Sequence, residues 1–468
     1  MDTLKSINRV LRRPRALLVG PAALMMLAAY TSGALNLGAR EASPRAIAIQ
    51  PDGKIVLAGT AGVGKVFSFA LARYTPDGVL DPAFGNGGRI TTWFRGTPTT
   101  ARYEAGSWVR SIFIQPDGKL VAGGVASMGG GWTVNPFLYG LARYNSDGTL
   151  DAGFGKGGTV TTDLGWVNWV VPSFALQADG KLILVGDASV DHGKLGASAL
   201  VRYLANGDLD PEFGEGGKVL AFRGTPNAGS PRAVIIQPDH KIVVAGRSGL
   251  EGREAFGLAR YLPNGSLDDT FGHNGAAVAA VSVGAKSGMM PALQGRGPFA
   301  LVLQPDGKLI VAGASDAIQG RIEFAVIRFL PDGSPDTGFG INGAATMDFG
   351  DDSPAYALVL QPDGRIIVAG AAGSGEFQQG RFALARFLSD GKPDLSFGTG
   401  GRIVSNFGQR GIQALGLLAD GKLVAAGPLE INHVMQFGLA RYLSDGELDS
   451  SFGVNGLVTT EFPAPAMH

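Results

Sequence analysis

The sequence predicts an all-β fold, a seven-bladed β-propeller with four antiparallel strands per blade, on three observations. First, one string of motifs recurs seven times: an apolar run, a Q-P-D-G-K turn, an apolar run ending in A-G, an F-x-L-A-R-Y strand, and x-D-G-x-L-D-x-x-F-G-x-x-G. Second, the first turn begins at Gln50, Gln115, Gln177, Gln237, Gln304, Gln361 and Leu418, so the copies lie 57 to 67 residues apart, the spacing of a propeller or another closed array. Third, the 73 glycines fall mostly at turns, and 45% hydrophobic against 17% charged residues supports a large core.

The first copy shows how one repeat folds. Ala46 to Gln50 forms a short apolar strand, Pro51-Asp52-Gly53 turns the chain, and Lys54 to Gly59 returns antiparallel to it. After a loop, Phe69-Ala70-Leu71-Ala72-Arg73-Tyr74 alternates with the period of a strand. A turn at Pro76-Asp77-Gly78 leads through Leu80-Asp81 and Phe84-Gly85 to a fourth strand, Arg89 to Phe94. A sheet of this kind buries neither face alone, so seven stack around a ring and closure removes exposed ends. The blades are expected at about 44–97, 108–165, 170–224, 231–284, 298–350, 354–408 and 411–463. An open solenoid is the alternative and requires capping units, which the terminal copies do not resemble.

Residues 1–34 read as an export segment: basic through Arg15, apolar from Ala16 to Ala29, then small at Ser32 and Ala34, where a signal peptidase would cut. An uncleaved membrane anchor is the other reading. Either way the folded part is expected outside the cytoplasm, secreted, periplasmic or at the cell surface. The whole chain has a formal charge of zero, and removing the five bases and one acid of this segment leaves about −4, a surface with no broad grip on nucleic acid. Zero cysteines exclude disulfides, thiolate metal sites and cysteine nucleophiles.

On Gln50-Pro51-Asp52-Gly53-Lys54, Leu71-Ala72-Arg73-Tyr74 and Leu80-Asp81-Pro82-Ala83-Phe84-Gly85, with six further copies through Phe452-Gly453, the chain resembles the bacterial delta-60 repeat proteins. The resemblance covers nearly everything after the export segment. It implies a β-propeller and an exported setting and carries no settled biochemical activity. Departures are Ala178 and Ala419 for the turn proline, His240 for the turn glycine, and Val326-Ile327-Arg328-Phe329 in the third strand.

Seven arginines (Arg73, Arg143, Arg202, Arg260, Arg328, Arg386, Arg441) are each followed by an aspartate (Asp81, Asp151, Asp210, Asp268, Asp336, Asp394, Asp449). They invite anion or metal sites, but charges repeating with the blade are expected to pair within it as structural elements. Phe84, Phe154, Phe213, Phe271, Phe339, Phe397 and Phe452 are read as plugs between blades. The five histidines share no ligand spacing, Asn145-Ser146-Asp147-Gly148 lacks the calcium-loop set, and Gly129-Gly130-Gly131 fits no phosphate loop. No metal and no cofactor are expected.

Variation between copies concentrates on one side, in Ser127 to Pro136, Asp187 to Ala197 and Ser282 to Pro298, and loops on a rigid scaffold carry function. Tyr103, Trp108, Trp132, Trp166 and Trp169 lie on or beside such connections and are the candidate binding residues, able to stack on sugar rings or anchor a protein. They serve equally well as lids over long loops. Asp187, Asp191 and His192 make a weak cation candidate beside them. The expected function is a non-enzymatic extracytoplasmic binding or scaffold propeller, a monomer whose protein or glycan partner at the cell envelope meets the variable face. It touches membrane only through an uncleaved N-terminal segment. The alternative is an enzyme at the central channel, a polysaccharide hydrolase or lyase or a sugar oxidoreductase, with Glu104, Arg110 and Asp187 as its only sequence candidates.

Overall fold

The structure is a computed structural model that describes residues 40–63, 66–94, 105–127, 137–164, 172–190, 195–222, 230–250, 253–279, 297–316, 321–373 and 380–463. The export segment and the residues that follow it through 39 lie outside the described residues. Each repeat forms one antiparallel blade. In the first, the inner strand Arg40–Ile49 pairs with Ile55–Val63, then Val66–Tyr74, then the outer strand Arg89–Thr92. Blades two to six are separate four-stranded sheets, whereas the first and seventh share a nine-stranded one. The inner strands of successive blades touch all the way round, including first against seventh.

The repeated residues explain themselves at the blade junctions. Arg73 stands next to last in the third strand, its Nε donates to Asp81 Oδ2 at 2.9 Å, and its Nη1 donates to the carbonyl of Ser146 in the next blade. Its guanidinium lies 4.5 Å from the centre of the Phe84 ring. Lys54 of the first turn reaches the same Asp81 carboxylate at 3.4 Å, and Gly85 donates its backbone N–H to Asp147 of the next blade at 2.7 Å. Asp81 Oδ1 accepts the N–H of Ala83, which fixes the loop.

All seven copies repeat this clamp. Arg–Asp distances run from 2.7 to 2.9 Å. The ring is closed by the same contacts: Arg441 donates to Pro76 O at 2.7 Å and Gly453 to Asp77 O at 3.0 Å. The seventh blade keeps its own outer strand, Leu457–Thr460, and one parallel bridge, Glu41 to Met435, ties its third strand to the inner strand of the first blade.

A second tie joins neighbours through the core. Tyr74, Tyr144 and Tyr203 donate to Thr460, Thr92 and Thr162 on the outer strand of the preceding blade, and Tyr442 meets Ser405, each at 2.7 Å. Where the third strand carries Phe329 or Phe387, the facing outer-strand position is Ala279 or Met347, so no hydroxyl is stranded. Tyr261 departs from this pairing. It faces Ala221, and burial pushes its phenol up to about 12.

The hairpins between second and third strands run further than the repeat suggests. Asp187 to Ala197, expected as a loop, is largely strand: Leu182–Val190 pairs with Leu195–Tyr203, leaving only 191–194 outside the description. Cross-strand bonding continues past the point where apolar alternation fades, because backbone pairing does not require an apolar face. Of the other two expected loops, 128–136 and 280–296 lie outside the described residues. His240, in place of a turn glycine, adopts a left-handed φ of 65°.

Two predictions follow from these junctions. Burial acts upward on the Asp268 carboxyl, but bonds from Thr270 and Lys241 and the charge of Arg260 outweigh it and lower it from 3.8 to about 2; Asp449 is lowered too, chiefly by the Ser451 hydroxyl. A carboxylate depressed in the folded state stabilises above its unfolded pKa and loses that contribution as pH falls through the folded value. Urea midpoints should therefore hold steady above about pH 4 and drop between about pH 4 and 2. Ala221→Thr gives Tyr261 the hydroxyl partner that Tyr74, Tyr144 and Tyr203 have on their preceding blades, and urea unfolding should show a gain of about 1 kcal/mol.

Candidate functional site

The A-G that closes each second strand has a partner on the inner strand. Where the inner strand enters its blade it bulges, between Pro44 and Ala46, Val109 and Ser111, Pro231 and Ala233, Pro298 and Ala300, and Ala355 and Ala357. The bulge drives a carbonyl against the facing glycine. A Cβ on Gly59 would sit 2.1 Å from Ser43 O, and one on Gly370 would sit 2.0 Å from Pro354 O, so only glycine fits.

In these five blades the bulge turns one side chain out of the alternating pattern. Ala46 packs toward the second blade and Ile47 toward the seventh, while Arg45 leaves the ladder between them. The set, five places before each turn glutamine or its Leu418 equivalent, is Arg45, Arg110, Pro172, Arg232, Phe299, Tyr356 and Gln413. Apart from Arg45, which stands midway along Arg40–Ile49, these positions lie at or near the entry ends of the inner strands, and all lie away from the Q-P-D-G turns. They therefore ring the mouth of the axial channel on the side of the variable connections.

Contacts link most of the set. Arg45 Nη1 donates to Gln413 Oε1, and Gln413 Nε2 donates to Arg410 O at 2.5 Å. The Arg232 guanidinium lies 5.3 Å from the centre of the Phe299 ring, and Phe299 meets Tyr356 edge-on at 5.4 Å and 82°. Burial pushes the Tyr356 phenol up to about 12, with the charge of Arg45 acting against it, so it remains a protonated O–H donor at neutral pH. Arg110 stands at the equivalent bulge of the second blade, and its Nε is buried with no hydrogen-bond acceptor among the described residues. Guanidinium, amide and phenol donors beside an aromatic ring can hold a ligand rich in acceptors.

The expected binding residues distribute differently. Trp108 begins the inner strand Trp108–Ile114, is partly buried, and packs against Phe67 at 6.4 Å and against Gly106. Tyr103, Trp132, Trp166 and Trp169 lie outside the described residues, as do Glu104, Asp191 and His192. Asp187 is buried in its strand opposite Ser198. Of the channel candidates, Arg110 belongs to the mouth set. Arg45, Arg232, Phe299, Tyr356 and Gln413 were missed, although their fixed offset from the turn was readable.

A shallow cleft opens between blades three and four, lined by Ser198, Leu200, Gly257 and Tyr261 among others. Its cause is a packing gap. Ser198 stands where the other blades place Phe69, Tyr139, Phe256, Phe324, Phe382 and Phe437. Among the described residues no group of histidines and acids is arranged to hold a metal ion.

A family model described as "Domain of unknown function (DUF5122) beta-propeller" matches residues 50–84, 115–154, 177–213, 237–271, 304–339, 361–397 and 418–452. No curated protein matches the chain. Among solved structures, a glucose dehydrogenase aligns at 12% identity and a TM-score of 0.39, covering 70% of this chain and 93% of that one. The PQQ-bound aldose sugar dehydrogenase of Streptomyces coelicolor aligns at 14% and 0.35, covering 64% and 83%. A gluconolactonase of Xanthomonas campestris aligns at 14% and 0.28, covering 63% and 75%. Overlaps this loose transfer no chemistry.

Proposed function

Since the chain belongs to the DUF5122 β-propeller family, with a ring held by its repeated motifs, we propose that it is a non-enzymatic, exported binding or scaffold propeller that takes its ligand or partner at the variable face, centred on the channel mouth. The observation that carries this reading is the convergence of Arg45, Arg232, Phe299, Tyr356 and Gln413 at one end of the channel. Their blade-to-blade positions match, yet their identities differ, whereas the clamp residues on the other side stay uniform. Side chains that vary on an invariant backbone device are what a binding site on a rigid scaffold requires. The partner is a protein or glycan of the cell envelope.

An enzyme at the same mouth is the competing reading, and one experiment separates the two. The purified chain is screened against envelope glycans and proteins, with Gln413→Ala at the mouth and Lys392→Ala on the clamp side, and sugar substrates are assayed for turnover. Binding weakened by Gln413→Ala, retained by Lys392→Ala and unaccompanied by turnover supports the proposal. Binding lost only through Lys392→Ala, no binding at all, or turnover of any sugar overturns it.

A further inference from the structure

We propose that the channel mouth is an oxyanion site, taking a carboxylate, sulfate or phosphate group through Arg45, Arg110 and Arg232. The inference rests on the reading of the mouth as the binding site and names the ligand chemistry. Three of the five bulged positions carry a guanidinium, and the same backbone device aims each of them. Clamp arginines elsewhere in the fold each hold an aspartate eight residues on; eight residues beyond Arg45, Arg110 and Arg232 stand Gly53, Gly118 and His240 instead.

Each mouth group is oriented. Arg45 is fixed by the Gln413 amide oxygen and Arg232 by the face of Phe299. Arg110 supplies the independent sign of a ligand, a buried Nε donor with no acceptor among the described residues. A buried donor left without an acceptor is costly, and an anionic oxygen satisfies it with a stronger bond than a neutral one. The planar guanidinium fork matches carboxylate and tetrahedral oxyanions in two-point fashion. Tyr356, held protonated, adds an O–H donor beside the cations and offers no competing negative charge.

Isothermal titration of the full chain tests this with four probes: glucuronate, inorganic sulfate, inorganic phosphate and neutral glucose. At least one anion is expected to bind and glucose not to, with affinity falling as sodium chloride rises. The tightest anion identifies the headgroup. Arg110→Gln should weaken that anion about tenfold, the equivalent of one charge-assisted bond, with Arg110→Lys recovering part of the loss and the unfolding midpoint unchanged. Glucose binding as well as the anions, affinity indifferent to salt, or Arg110→Gln binding like the parent chain overturns the proposal. If envelope partners still map to the mouth while no anion binds, the oxyanion assignment fails and the binding reading stands. If partners map elsewhere, that reading fails, whatever the anions do.

Discussion

The ring depends on one repeated ion pair, the arginine one residue before the end of each third strand and the aspartate eight residues further on. Burying a guanidinium and a carboxylate is expensive unless the geometry is good and the remaining donors are met. Here the remaining donors are met across the junction: Nη1 of Arg202 goes to Pro263 O, and that of Arg386 to Ser444 O, both in the following blade. The pair that fixes a hairpin within one blade thus also fastens it to the next. Phenylalanine beneath the guanidinium adds a cation–π contact and fills the wedge between sheets, as Phe154 does against Gly207. A basic residue from the first turn, lysine in six copies and Arg365 in the sixth, completes the arrangement, which explains why the turn recurs as a unit with the Asp-x-x-Phe-Gly segment although dozens of residues separate them.

Such a clamp explains the division of labour across the two faces. The clamp side devotes its charged residues to ties between neighbouring blades. The opposite end of the inner strands needs only the bulge and its facing glycine to keep its backbone path, so the bulged side chain is free to differ. Arg45, Arg110, Arg232, Phe299, Tyr356 and Gln413 occupy that freedom. The core ties follow a related logic of matched substitution, with tyrosine facing threonine or serine and phenylalanine facing alanine or methionine, the third-to-fourth junction excepted.

Much of the fold was legible because turns and strand alternation are local and were written seven times. Gly53 and Gly78 need left-handed backbone, Tyr74 and Phe69 alternate, and any one copy checks the others. What escaped the sequence were features set by partners distant in the chain. The extension of Leu182–Val190 against Leu195–Tyr203 comes from backbone pairing past the apolar core. The mouth set was hidden because a bulge breaks the alternation used to assign faces, and five residue types at one offset do not look like a motif. Arg110 was visible only as an isolated charge. The tryptophans drew attention by size, and the one that is described, Trp108, packs against Phe67.

If the clamps join the blades into a closed circuit, no blade is an end, and breaking a clamp anywhere weakens the whole. Hydrogen–deuterium exchange followed peptide by peptide in Arg260→Leu and Arg441→Leu tests this most directly. The first breaks a mid-chain junction and the second the junction that joins the two ends. The account predicts similar acceleration in all seven blades for both variants, with each losing about 3 to 5 kcal/mol of protection in the slowest-exchanging strands. Acceleration confined to the blade carrying the substitution, or Arg441→Leu exchanging like the parent chain, would contradict it.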